Sequence, residues 1–255
     1  KIKGMSTKDT SYTRMTIKIA GFIAGSLVLL FFINGCKKQN YIIGGTPTNV
    51  NQYENITTYE YLQNNPIFDT LVQLINAAGL EGAVNAQGTT FFASTNYSVF
   101  QYLNLKTIYL QNTVNQNEQF GLDSLLYYVK NNINGTADSL EMYLINQPLT
   151  YNVLTNIGAK YSTELQGDTA IVSYQFATST SLGYNPIVST VPQVVYYAYL
   201  WTPNYPLSSD STASMIPGNE GFNELVQTSG IYTKNGVVEV LTNQNVLFGF
   251  GQQTN

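Results

Sequence analysis

The sequence predicts an α+β domain behind an export leader. Two patterns carry that fold class. Apolar residues early in the body recur at helical spacing, and those after residue 149 fall in short β-branched and aromatic runs between turn residues. Helices first and strands later is the order expected of an α+β domain. A third observation joins the two patterns. The stretch 89–105 (TTFFASTNYSVFQYLNL) reads as a strand, a tight corner at Ser94-Thr95-Asn96, and a short helix with Val99, Phe100, Leu103 and Leu105 as its apolar residues. An Asn96 side chain can accept a hydrogen bond from the orphan N–H groups that open a helix.

The leader comes first in the chain. Lys1, Lys3, Lys8, Arg14 and Lys18 precede an apolar run at 19–33, which ends at Asn34-Gly35-Cys36. Its 15 residues fall short of the roughly 20 that span a bilayer. A basic start, an apolar middle and a small residue at the end describe a secretory signal. Ile33-Asn34-Gly35-Cys36 resembles the lipobox of bacterial lipoproteins, and Cys36 is the single cysteine of the chain. The resemblance implies cleavage after Gly35 and lipid attachment at Cys36. It also implies the envelope of a Gram-negative bacterium: an outer membrane lipoprotein, periplasmic or surface-facing. The alternative is a transmembrane anchor with an incidental cysteine. Residues 1–35 are therefore leader and signal peptide, and residues 36–55, polar with Gly44-Gly45 and Pro47, are a tether.

Residues 56–250 form the body, with 251–255 as a tail. Asn65 and Pro66 open a helix, and Asp69 sits in its first turn. Ile67, Phe68, Leu71, Leu74, Ile75 and Ala78 form its apolar face, and Gly79 stops it. Residues 106–120 are ambiguous between helix and loop, and residues 125–129 (LLYYV) read as a buried run. Strands are expected at 149–154, 159–165, 170–176, 193–201 and 237–241, with a turn at Thr228-Ser229-Gly230. The hairpin and loop across 170–219 look like an insertion.

Composition narrows the function. Only 10% of residues are charged, against roughly 25% in an ordinary domain, and neutral polar side chains take their place. Twenty tyrosines and twelve phenylalanines argue for a packed core. The chain has no histidine, which excludes histidine acid–base chemistry, Ser-His and Cys-His nucleophile pairs, and the commonest metal ligand. From Cys36 onward there are 6 basic and 14 acidic residues, a balance of −8. Such a body does not track nucleic acid phosphates.

Three segments resemble, in order, the fasciclin-like or FAS1 domain. Thr90, Phe92, Ala93, Thr95, Asn96 and Phe100 match the family's first signature, with Ser94 in place of its usual proline. Leu126-Tyr127-Tyr128-Val129 resembles its Leu-x-Tyr-His-Val segment, with Tyr128 in place of histidine. Thr228, Ser229, Ile231, Thr233, Asn235, Gly236, Val237, Val238, Val240 and Leu241 match its last signature, where Glu239 replaces histidine. The resemblance implies a β-sandwich or wedge flanked by several short helices. It implies an adhesion module without catalytic residues or cofactors, making contact with a protein or glycan at the cell surface. The role assigned to the Tyr-His pair carries over at Tyr127 only.

Two further readings concern binding and catalysis. Alternation puts Tyr197, Tyr199 and Trp201 on one face of a strand, as a platform for sugar rings or as core residues. Glu220 and Glu224 have helical spacing but read as a solvated helix face, and Glu239 reads as a solvent-facing strand residue. No residue pattern points to a metal site or to a paired-carboxylate hydrolase.

Overall fold

The computed structural model describes residues 52–180, 184, 185, 187 and 191–254. The leader, Cys36 and most of the tether lie outside them. Helices dominate up to residue 143. They comprise α1 (Thr58–Gln63), α2 (Asp69–Ala78), α3 (Glu81–Val84), α4 (Asn96–Thr113) and α5 (Leu122–Lys130). Short 3-10 turns at Pro66–Phe68 and Asp138–Tyr143 join them. A capping box opens α1. Thr57 Oγ1 accepts from Glu60 N at 3.2 Å, and Glu60 returns its carboxylate to Thr57 N at 2.7 Å.

Among the described residues, seven strands form one mixed sheet. They are β1 (Thr89–Ala93), β2 (Leu144–Ile145), β3 (Ala159–Ser162), β4 (Thr169–Phe176), β5 (Gln193–Leu200), β6 (Gly221–Tyr232) and β7 (Gly236–Leu241), in the order β2-β1-β7-β6-β5-β4-β3. All neighbours are antiparallel except β1 and β7, which run parallel with Phe92 opposite Glu239. That pairing lays the first signature directly beside the last. Gly236 permits the approach, because an added Cβ would collide with the Thr89 carbonyl oxygen.

Several elements differ from the sequence pattern. Residues 149–154 form no strand but an irregular stretch with a turn at 151–153, and Leu149 N is held by Thr90 Oγ1 at 2.8 Å and not by a partner strand. Thr228 to Gly230 is no turn but a bulged stretch inside the twelve-residue β6. The ambiguous start of 106–120 is helical up to Thr113. The hairpin of β4 and β5 lies within the main sheet, so both of its faces are covered. The main core packs on one face. A smaller cluster of Ile171, Ala198, Leu200, Ala213 and Ile216 lies on the other, beneath Tyr205 and Leu207 of the following loop. Tyr53, in the stretch read as tether, bridges to Thr233 and packs its ring 4.8 Å from that of Tyr61.

Candidate binding surface

Most of the signature residues build scaffold, whereas Phe100 and Tyr127 stand in solvent. Thr90 Oγ1 donates to Gln147 O at 2.7 Å, and Phe92 is fully buried with its ring 4.5 Å from Tyr197. Ala93 is buried beside it. Thr95 Oγ1 donates to Asn243 Oδ1 at 2.9 Å. Asn96 does not cap its own helix. Its Oδ1 accepts from Thr70 N at 2.9 Å and Thr70 Oγ1 at 2.8 Å, and its Nδ2 donates to Pro66 O at 2.7 Å. It therefore caps the start of α2 from across the corner. Asn235 acts in the same way on α1, accepting from Thr58 N at 2.8 Å and donating to Val84 O at 3.4 Å. Tyr128 packs edge-on to Phe120 at 5.2 Å, whereas Tyr127 lies mostly in solvent.

The aromatic strand forms no platform. Tyr197 is fully buried and donates to Met142 O at 2.7 Å. Tyr199 is buried, with its hydroxyl on the Asp168 carboxylate. Trp201 is half-buried, 5.4 Å from Phe222, and its Nε1 donates to Gly218 O. These rings face the main core because the loop after β5 covers the opposite face.

Two carboxylates expected in solvent are buried. Glu224 lies on β6, not on a helix, and accepts from Gln252 Nε2 at 2.9 Å. Burial pushes its carboxyl up to about 7, against the opposing effect of that hydrogen bond. Glu239 is fully buried opposite the β6 bulge, and its Oε1 accepts from Gly230 N at 3.1 Å. Burial pushes it up to about 8, with the Gly230 bond opposing. A carboxyl with that value is mostly protonated at neutral pH. No group of three or more Cys, Asp or Glu that could hold a metal ion is present among the described residues.

The surface with binding character is the outer side of α4. Tyr97, Phe100, Ile108 and Tyr109 each leave about half of their area in solvent, and Leu105 stands between them. Tyr97, Phe100 and Ile108 share one side of the helix by their spacing. Phe100 therefore faces outward, although its place in the first signature suggests a core residue. Val99 and Tyr102 carry the buried side instead. The only charge on α4 is Lys106, and its ammonium lies 5.2 Å from the rings of both Tyr109 and Phe250. Ile67, expected in the core, is also exposed, and Asn96 holds its turn beside the start of α4. A signal for this surface is present in the sequence. The segment 97–110 carries apolar residues all round the helix, and one domain core can cover only one side.

Comparison with known proteins finds a similar solved structure, a FAS1 domain pair from the insect cell adhesion molecule fasciclin I. It shares 14% identity at a TM-score of 0.40, over 73% of this chain and 46% of that one. This chain thus spans about half the length of that protein. No family model and no curated protein matches the sequence.

Proposed function

We propose that the chain is an exported, lipid-anchored adhesion module that binds without catalysis. The observation that supports this reading is the outer side of α4, where Tyr97, Phe100 and Ile108 stand exposed around the neutral polar Asn104. Large apolar side chains grouped on one surface and rimmed by polar residues mark an interaction site. Tyrosine and phenylalanine supply large contact area with few rotatable bonds, as binding surfaces use them. The partner is a protein at the cell surface with a matching apolar patch. The asparagine clips and the parallel β1–β7 pair would make the domain a stiff wedge behind that face, and the Cys36 anchor would display it.

A second reading, capture of a glycan beside uptake machinery, draws on one observation. The exposed rings of Tyr97 and Phe100 lie 6.0 Å apart at an interplanar angle of 39°, within reach of a single sugar ring.

The test is a double variant, Phe100→Glu with Ile108→Glu, displayed on cells. Both side chains are half-exposed, so thermal unfolding should move by no more than about 2 °C. Cell aggregation should fall at least tenfold. Aggregation at the wild-type level with a folded variant rejects α4 as the contact face. Wild-type binding on a glycan array, lost in the double variant, selects the second reading.

A further inference from the structure

We propose that Glu224 and Gln252 form a proton-dependent latch, which holds the segment 247–254 onto β6 while the carboxyl is neutral and releases it when the proton leaves. Glu224 lies on β6 with only 5% of its surface exposed. Gln252 Nε2 donates to its Oε1 at 2.9 Å. The Gln252 Oε1 atom is itself buried, and no N–H donates to it. A primary amide and a carboxylic acid each offer donors and acceptors, so a neutral Glu224 can return its O–H to the amide. A carboxylate offers acceptors alone. Once ionised, Glu224 would leave the buried amide oxygen unanswered and place a negative charge beside it.

The surroundings of Glu224 favour the neutral form. The titratable groups that face it are Tyr197, its partner on β5, and Tyr143, which stands before β2. Burial pushes both hydroxyls well above the ordinary tyrosine value, so neither changes charge with Glu224. Lys106 of α4 meets the segment at the Phe250 ring. Burial raises the Glu224 carboxyl to about 7 and the Gln252 bond opposes the rise, with no charged side chain contributing among the described residues.

The segment depends on such a hold. It passes over β6 with Phe248 at φ 64°, a conformation that bulky residues rarely adopt and that surrounding contacts must maintain. Two backbone bonds flank the latch: Phe248 N donates to the Tyr143 hydroxyl at 2.8 Å, and Thr254 N to Gly218 O at 3.1 Å. The same segment packs on α4. The Phe248 ring lies 5.4 Å from Tyr102, and the Phe250 ring 5.3 Å from Tyr102 and 6.0 Å from Tyr109. Opening the latch would loosen this contact, and through it would weaken partner binding at α4. That last link rests on the proposed function, whereas the latch does not. Below pH 4.5 the proton stays on Glu224 whether the segment is closed or open. Between 4.5 and about 7 only the closed form keeps it, so opening grows easier as pH rises, and above 7 the gain levels off.

Amide hydrogen exchange across 247–254, measured on the full chain in detergent at pH 6 and pH 8 and corrected for the intrinsic rate, tests the latch. Protection should fall about tenfold over that interval. In Glu224→Gln the new amide pairs with Gln252 at either pH, so protection should stay high and level. Level protection in the wild type overturns the proposal, and so does a fall that persists in Glu224→Gln. Should Glu224→Gln fail to fold, the carboxyl carbon resonances of the glutamates decide, recorded in Glu239→Gln so that the other buried acid is silent. A carboxyl that titrates near pH 7 in step with the loss of protection supports the latch. Protection lost with no glutamate titrating alongside it overturns the latch. Exchange is read with no partner present, so its outcome is separate from that of the adhesion test.

Discussion

Glu239 is the residue at which alternation along a strand misleads. Val238 and Val240 flank it, so a half-wet strand would turn it to solvent. But β7 lies between β1 and β6, with both faces covered, and such strands do not alternate. The carboxyl instead answers the β6 bulge, accepting from the Gly230 N–H that irregular pairing leaves without a ladder partner. Gly230 itself adopts φ 68°, and a Cβ there would lie 2.7 Å from the Tyr151 ring. Burial raises the Glu239 carboxyl from its ordinary 4.5 to about 8. Below 4.5 both folded and unfolded chains hold the proton, and the stabilisation is complete. Between 4.5 and 8 only the folded chain holds it, so stability falls by about 1.4 kcal/mol per pH unit. Above 8 the loss levels off. Glu239→Gln keeps an acceptor for Gly230 and removes this titration. It should match the wild type in urea unfolding at pH 4.5 and exceed it by about 3 kcal/mol at pH 7. Parallel pH profiles for the two proteins would exclude a buried neutral Glu239.

At the scale of elements, asparagine amides join pieces that the hydrophobic pattern leaves unrelated. Asn96 ties the start of α4 to α2, and Asn235 ties the β6–β7 turn to α1 and to the end of α3. Each uses both ends of its amide, so neither aspartate nor alanine can replace it. Asn235→Ala removes the acceptor of the buried Thr58 N–H and the donor to Val84 and Ala86. The cost should be about 2–4 kcal/mol in urea unfolding. Amide hydrogen exchange should quicken first in α1. Asn131→Ala, whose exposed side chain only reaches back to Tyr127 O, should cost under about 0.5 kcal/mol. Equal losses at the two sites would show that Asn235 clips nothing together. These clips explain what the sequence concealed. Residues 94–96 and 235–236 are legible as turn chemistry, but the helices they cap lie 26 and 177 residues away. The same limit applies to Thr228 to Gly230, where turn residues serve a bulge, and to α4, where apolar residues on all sides hide its length.

The whole molecule is organised by where charge and apolar surface are kept apart. The early helices and late strands are legible because their periodicities differ. The parallel contact of β1 and β7 is not, because no local pattern records a pairing across some 145 residues. Apolar residues all round α4 signal that one side must stay in solvent, but which side does so depends on where the core lies and is not written in the segment itself. Basic residues crowd the leader, and the body from Cys36 onward carries −8. An acidic body is repelled by an anionic membrane surface, so on the proposed reading the hold would come from the lipid at Cys36 and not from the body. Cys36→Ala should therefore abolish fatty-acid labelling and move the chain out of the membrane fraction. Thermal unfolding of the body should not change. The freed protein should still bind its partner in solution, with cell aggregation lost because display on two surfaces is lost. A chain that loses its label and stays in the membrane would instead be held by the apolar run at 19–33. That outcome selects the transmembrane alternative and leaves the α4 contact face to be judged on its own variants.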